Sequence, residues 1–298
     1  MLVKVALYLG IFAAGFILVS LLSLFLVVRP PRIRSTATPA QFALPYEPLT
    51  LTAADGTSLA AWLISRGGPT ERLAPAILLL HGYPADKGDL LPIARTLADE
   101  FDLLLLDLRY FGQSAGRYTT LGAKERLDVR AALDLLAARG YGPIGVFGFS
   151  LGGVVGILAA AQDPRIRAIV AYAPYADLTL LGQESYRHLW VLATPLVALM
   201  KLWTRWLLGL DADTLAPHRA AGRLRIPVLI VHGQQDDQIP IRHARIYQQA
   251  LGQNPHAAFY FPERLFHGDL PPDFTQRVRA FFRRHLVPGP LGKSPPAP

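Results

Sequence analysis

The chain has 298 residues, 51% of them hydrophobic and only 17% charged, with 30 Lys+Arg against 22 Asp+Glu and no cysteine. That apolar share supplies a large buried core, in one large domain or two small ones. The missing cysteines exclude disulfides, thiol catalysis and cysteine-ligated metals. The net charge of +8 is mostly scattered arginine, not the clustered basic stripe within a recognisable module that nucleic-acid binding requires.

The first element is the run 5–28, 24 residues without a charge between Lys4 and Arg29. As a helix rising about 1.5 Å per residue it reaches roughly 36 Å, enough to cross a hydrocarbon core of ~30 Å. A cleaved signal peptide is the competing reading, but its apolar region is shorter, about 7–15 residues, and ends in a small-x-small site. Here the run ends in "RPPRIR", so an uncleaved single-pass anchor is expected. Arg29, Arg32 and Arg34 follow the span while only Lys4 and the chain amine precede it, a bias toward a cytoplasmic C-terminal domain. Residues 29–45 carry Pro30, Pro31, Pro39 and Pro45 and read as an extended linker.

From Tyr46 the chain alternates. "YEPLTLTAADGTSLAAWLI" predicts a hairpin turned at Asp55-Gly56. "AILLLHG" and "LLLLDL" are continuous apolar runs, the mark of strands buried on both faces. Helices are expected over 87–100 and 122–139, then a strand in "PIGVFGF", a small-residue helix in "LGGVVGILAAAQ" and a strand in "IRAIVAYAP". The alternation breaks over 179–225 and resumes with "IPVLIVHG", a helix over 242–251, "HAAFYFP" and a closing helix over 271–286. The Pro/Gly-rich tail, 287–298, is expected to be disordered. Such alternation implies an α/β fold: a mostly parallel central sheet with helices on both faces, spanning 46–286.

In open parallel sheets, sites form beyond the carboxyl ends of the strands, so the residues after each buried run are the candidates. Gly148-Phe149-Ser150-Leu151-Gly152 has the form Gly-x-Ser-x-Gly between a buried strand and a helix. That is the setting in which a sharp turn lifts a nucleophilic serine, and the glycines let strand and helix approach. The Leu151 N–H, at the helix start, is a candidate oxyanion donor; the Tyr83 N–H, after the His81-Gly82 strand end, is the second. His81 itself reads as structural. A serine needs a base and the base an orienting acid. Asp236 in "HGQQDDQIP" is the acid candidate, with neighbouring Asp237 directed to solvent or a helix cap, and His267 in "PERLFHGD" is the base. His188, His218, His232, His243, His256 and His285 have weaker cases, and no His/Asp/Glu spacing suggests a metal site.

Taken together, "HGYPADKGDLLP", "DLRYFGQSAG", "GFSLGG", "HGQQDDQIP" and "FHGD" resemble the alpha/beta-hydrolase superfamily over about 46–286. The branch they are most similar to comprises serine-aminopeptidase-like and monoacylglycerol-lipase-like hydrolases, including membrane-anchored members. The resemblance implies Ser150 as nucleophile, Asp236 as triad acid and His267 as base, with no cofactor and no metal. It also implies that Asp107 and Arg109 hold a loop rather than catalyse. Two departures stand: Tyr110 replaces the first glycine of the family's Asp-x-Arg-Gly-x-Gly-x-Ser loop, and the loop after Gly82 lacks the further glycines of the HGGG lipases.

The break at 179–225 falls where this superfamily commonly carries a lid. Trp190, Trp203 and Trp206 lie in it among few charges, so a helix apolar nearly all round is expected to be buried, over the core or over an acyl pocket. A Trp-rich face against the bilayer is the third reading, and Pro195 and Lys201 argue against a second span. The expectation is a membrane-anchored serine hydrolase of carboxylic esters, lipid esters and thioesters included, with a small-molecule acyl substrate and membrane lipid as partners. An aminopeptidase drawing on Glu184, Asp211 and Asp213, and a non-catalytic membrane-tethered scaffold, are the alternatives. Oligomeric state and physiological substrate are not encoded in any motif of the chain.

Overall fold

The computed structural model describes residues 1–65, 67 and 73–287. The tail expected over 287–298 lies, apart from Val287, outside the described residues. Helix α1 (Leu2–Val28) leads into strands β1 (Tyr46–Thr52), β2 (Ser58–Ile64) and β3 (Ala74–Leu80), then α2 (Leu91–Leu97), β4 (Asp102–Leu106), α3 (Glu125–Ala138) and β5 (Tyr141–Phe149). After β5 come α4 (Leu151–Ala160), β6 (Ile166–Tyr172), α5 (Leu178–Ser185), α6 (Ala193–Leu208), α7 (Pro217–Ala221), β7 (Val228–Val231), α8 (Arg242–Ala250), β8 (Ala257–Tyr260) and α9 (Phe274–Leu286).

Among the described residues the eight strands form one sheet in the order β1-β2-β4-β3-β5-β6-β7-β8. β1 and β2 pair antiparallel, as do β2 and β4. From β4 to β8 every pairing is parallel. Parallel strands must be covered on both faces, and the side-chain period of two divides the apolar runs accordingly. Leu78 and Leu80 pack with Val129, Leu133 and Val154 of α3 and α4, whereas Ile77 and Leu79 pack with Leu97, Phe274 and Phe282 of α2 and α9. This is why "AILLLHG" and "LLLLDL" lack polar alternation. The expected helix over 87–100 is shorter, because Asp86 caps a separate 3-10 turn, Lys87–Leu90, by accepting from the Gly88 N–H at 2.8 Å.

The register aligns the carboxyl ends. Leu80 sits opposite Gly148, Phe149 opposite Tyr172, Tyr172 opposite Val231 and Val231 opposite Tyr260. The chain winds one way from β3 to β4 and the other way after β5, so the switch point lies between β3 and β5, where ligand sites form.

Residues 29–45, expected as an extended linker, include a 3-10 turn at Pro39–Phe42 and are fastened to the body. Tyr110 Oη donates to the Pro30 carbonyl at 2.6 Å, Arg32 Nη2 to the Gly116 carbonyl at 2.6 Å, and the Ser35 N–H to Asp86 Oδ2 at 2.7 Å. The prolines fix φ without preventing these side-chain bonds, which composition does not register. The insertion also departs from expectation. α6 buries Ala193, Leu196 and Val197, while Leu202 is 53% and Trp206 77% exposed. Its helix is therefore covered on one side and open on the other. A kink at Trp190 (φ 51°) interrupts the 3-10 segment Arg187–Leu192 that precedes α6. The 16 residues of α6 reach about 24 Å, short of a ~30 Å hydrocarbon core.

Candidate active site

Ser150 stands between β5 and α4 with φ 50° and ψ −113°, a conformation that costs a non-glycine residue about 1–3 kcal/mol. Three contacts hold it there. Its N–H donates to the Tyr172 carbonyl at 2.7 Å. A Cβ at Gly148 would lie 2.3 Å from the Gly152 carbonyl oxygen, and one at Gly152 would lie 2.2 Å from the Leu80 carbonyl oxygen. Only glycine lets α4 start this close to β3 and β5, and Ser150 at this turn lines a cavity.

Leu151 is the first residue of α4, where backbone N–H groups have no intrahelical acceptor and the helix dipole is positive. Among the described residues neither the Leu151 nor the Tyr83 N–H donates a hydrogen bond. Tyr83 follows Gly82, whose missing Cβ leaves room for Phe149 Cδ1 at 2.7 Å. His81 is fully buried; Nδ1 donates to the Gly82 carbonyl at 2.7 Å, and Nε2 accepts from the Leu108 N–H at 3.0 Å. Burial holds its pKa below the ordinary histidine value. With both nitrogens engaged and the ring neutral, His81 shapes the loop.

Asp236 and His267 meet. His267 Nδ1 donates to Asp236 Oδ2 at 2.7 Å, while Asp236 Oδ1 accepts from the Gln238 and Ile239 N–H groups at 3.0 and 2.7 Å. The Asp236 side chain is fully buried, that of His267 nearly so. The two loops are joined by backbone: Gln234 N–H to the Pro262 carbonyl at 2.9 Å and Gln235 N–H to the Leu265 carbonyl at 3.2 Å. A Cβ at Gly233 would fall 2.3 Å from the Leu265 oxygen, so that approach needs glycine. The Phe149 ring packs on His267 with centroids 5.0 Å apart. Asp237 is exposed and belongs to the cavity wall. His232 is buried, donating Nε2–H to the Ile239 carbonyl at 2.7 Å and lying 3.4 Å from Asp236 Oδ2.

Ser150, His267, Tyr83 and Leu151 line one cavity of about 600 Å³, within the ~300–1,000 Å³ range of small-molecule sites. Its remaining wall is largely apolar, including Leu178 and, from the insertion, Val197 and Met200. Among the described residues no hydrogen bond closes between Ser150 and His267; such bonds are often long at rest and tighten with substrate.

Sequence reasoning missed three features. Leu24 and Val27 of α1 line the cavity. The Tyr83 hydroxyl donates to the Val27 carbonyl at 3.0 Å. His243, expected at a surface or element start, is fully buried: Nδ1 accepts from the Ala176 N–H at 2.9 Å and Nε2 donates to Glu184 at 2.7 Å. Each joins elements far apart in sequence and has no local signal. The loop residues read as structural are so: Asp107 accepts from Lys87 Nζ at 2.6 Å, and Arg109 bridges Asp128 and Asp55, each at 2.6 Å.

A family description for the alpha/beta hydrolase fold matches residues 75–198. The alpha/beta hydrolase domain-containing protein WAV2 of Arabidopsis thaliana is 28% identical, over 76% of this chain and 74% of its own length. The esterase Pf2001 of Pyrococcus furiosus superposes with a TM-score of 0.71 at 24% identity, covering 86% of this chain and 99% of that one. The chain has the alpha/beta-hydrolase fold. A bacterial membrane phospholipase A shares the fold across 95% of this chain and 97% of its own, with a TM-score of 0.60 at 18% identity.

Proposed function

We propose that this alpha/beta-hydrolase-fold protein is a membrane-anchored serine hydrolase of apolar carboxylic esters. The observation that carries the reading is the strained Ser150 at the start of α4, sharing an apolar cavity with a His267 already bonded to a buried Asp236. With Nδ1–H given to Asp236, His267 keeps a lone pair on Nε2. In the proposed reaction Nε2 takes the Ser150 proton as Oγ attacks the acyl carbonyl, and returns it to the leaving alcohol. The Tyr83 and Leu151 N–H groups stabilise the oxyanion, and water then releases the acid from the acyl-enzyme. The superfamily and its esterase members support hydrolase chemistry. The apolar cavity wall supports an acyl substrate.

We read α1 as a retained anchor. It is a 27-residue helix whose one charge is Lys4, and its burial of Ser20, Leu24 and Val28 supports retention, because cleavage would strip a wall from the site. An aminopeptidase would need a carboxylate free for the substrate amine. Glu184 is engaged by Arg242 at 2.5 Å and His243 at 2.7 Å, and Asp213 pairs with Lys201. Asp237 is the cavity carboxylate left to that reading. A fluorophosphonate probe tests the proposal: wild type is expected to be labelled and a Ser150→Ala variant not. No labelling of wild type, equal labelling of the variant, or turnover of aminoacyl p-nitroanilides without p-nitrophenyl esters would each reject it.

A further inference from the structure

The cavity beside Ser150 is not closed by the hydrolase domain alone. Leu24 and Val27 form part of its wall, together with Leu178 and the insertion residues Val197 and Met200. Both lie in the last two turns of α1. Those turns are fixed in place: Ser20, Leu24 and Val28, four residues apart, form a buried stripe on one helix face. Trp203 Nε1 of α6 donates to Ser20 Oγ at 2.8 Å. The Tyr83 hydroxyl holds the Val27 carbonyl, and the Thr119 N–H holds that of Val28 at 2.9 Å. Tyr83 thus carries two ties: its side chain grips the anchor while its N–H is the proposed oxyanion donor.

Upstream the helix is bare. Leu7 is 60%, Ile11 60% and Leu18 66% exposed. A hydrocarbon core of ~30 Å takes up about 20 helical residues. Counted from Val5, the first residue after Lys4, that length ends at Leu24. The cavity wall then begins where the bilayer core ends. α6 agrees with this level. Trp203 is bonded to Ser20, and beside it Trp206 and Leu207 are 77% and 56% exposed; exposed Trp and Leu on a helix are what the membrane interface accepts. An acyl chain leaving the leaflet along α1 would pass the exposed apolar residues of the bare helix and then Leu24 and Val27, which line the cavity of Ser150.

We propose that the end of α1 is part of the acyl-binding site, and that the substrate is a membrane-resident ester whose chain lies against Leu24 and Val27. The inference rests on the serine-hydrolase reading. The anchor is then a specificity element as well as a tether.

The experiment uses the full chain in phosphatidylcholine vesicles. Wild type, Leu24→Trp, Val27→Trp and Leu24→Ala are compared by the ratio of kcat/KM for p-nitrophenyl palmitate to that for p-nitrophenyl butyrate. The ratio cancels any loss common to both esters. Leu18→Trp, on the bare part of α1, is the control. Filling the wall is expected to lower the ratio at least tenfold in both tryptophan variants, to change it severalfold in Leu24→Ala, and to leave the control at the wild-type value. If a tryptophan variant is inactive on both esters, Leu24→Ala decides. Unchanged ratios, or an equal fall in the control, overturn the inference. In parallel, bulk palmitate ester is held fixed while phosphatidylcholine dilutes it in the surface. A rate that falls with the ester's mole fraction supports uptake from the bilayer; a rate that ignores it overturns that route. A wild type that labels with fluorophosphonate but gives either negative result sinks only this inference. A wild type that does not label sinks the hydrolase reading beneath it.

Discussion

Replacing Asp236 by asparagine removes one charge from the site while leaving its shape, and the surrounding hydrogen bonds dictate what the new amide does. Oδ1 of Asp236 accepts from two backbone donors, Gln238 and Ile239 N–H, at 3.0 and 2.7 Å. Both must still face an oxygen, so the NH₂ group of the substituted side chain turns toward His267, where Oδ2 now accepts from Nδ1 at 2.7 Å. Donor would then face donor. The imidazole escapes by moving its proton to Nε2, with Nδ1 accepting from the amide, and the nitrogen meant to take the Ser150 proton loses its lone pair. A wrong tautomer of this kind lowers kcat by about 10⁴ in a serine triad, equivalent to about 5.5 kcal/mol of barrier. Stability should change far less, since each hydrogen bond is replaced rather than orphaned; about 1–2 kcal/mol is expected for exchanging charged for neutral bonds. Steady-state turnover of a p-nitrophenyl ester, fluorophosphonate labelling rates and a urea unfolding curve on the same preparation separate the two effects. A folded Asp236→Asn variant turning over within tenfold of wild type would refute the tautomer argument and the role given to His267.

Three further outcomes are expected. Gly152→Ala puts a Cβ 2.2 Å from the Leu80 carbonyl oxygen and 2.7 Å from that of His81; because the obstacle is strand backbone, about 3 kcal/mol of stability should be lost, and a urea midpoint equivalent to less than about 0.5 kcal/mol would contradict the close packing described. Burial holds the His243 pKa below its ordinary value of 6.5, against the opposing pull of Glu184. The unfolded chain therefore takes up a proton below that pH which the folded state resists, so stability is full above it and falls as the solution is acidified. His243→Gln, which can keep a donor toward Glu184, should flatten the fall between pH 6.5 and about 5 by up to about 1.4 kcal/mol per pH unit; identical slopes in denaturation curves would refute this. Trp203→Phe removes the donor to Ser20 Oγ and should cost about 1 kcal/mol while raising protease cleavage within the anchor's last turns; an unchanged cleavage rate in micelles would mean the bond does not hold α1.

Much of the molecule was legible in the linear pattern because its causes are local. Continuous apolar runs gave the buried parallel strands, since a strand covered on both faces has no polar alternation to display. Gly148 and Gly152 announced the turn at Ser150 because the close approach needs glycine on both sides. The strand-end rule then singled out Tyr83, Asp236 and His267 for inspection, and the register brings those ends to one edge of the sheet. Residues 29–45 and 179–225 were read less well. Proline content describes how a segment bends, not whether Asp86, Tyr110 and Gly116 lie within hydrogen-bonding reach of it. A tryptophan-rich helix has to place its apolar surface somewhere, but hydropathy does not say which side meets protein.

The sequence by itself determined the α/β architecture, the elbow serine and the identity of the residues offered as acid and base, because strand burial and tight turns are written in neighbouring residues. Only the tertiary structure decided that Asp236 and His267 bond, that His243 is buried against Glu184, and that Leu24 and Val27 wall the cavity of Ser150. Those facts depend on contacts across tens to hundreds of residues, fixed by how helices pack around an open sheet, and no periodicity within one segment carries them.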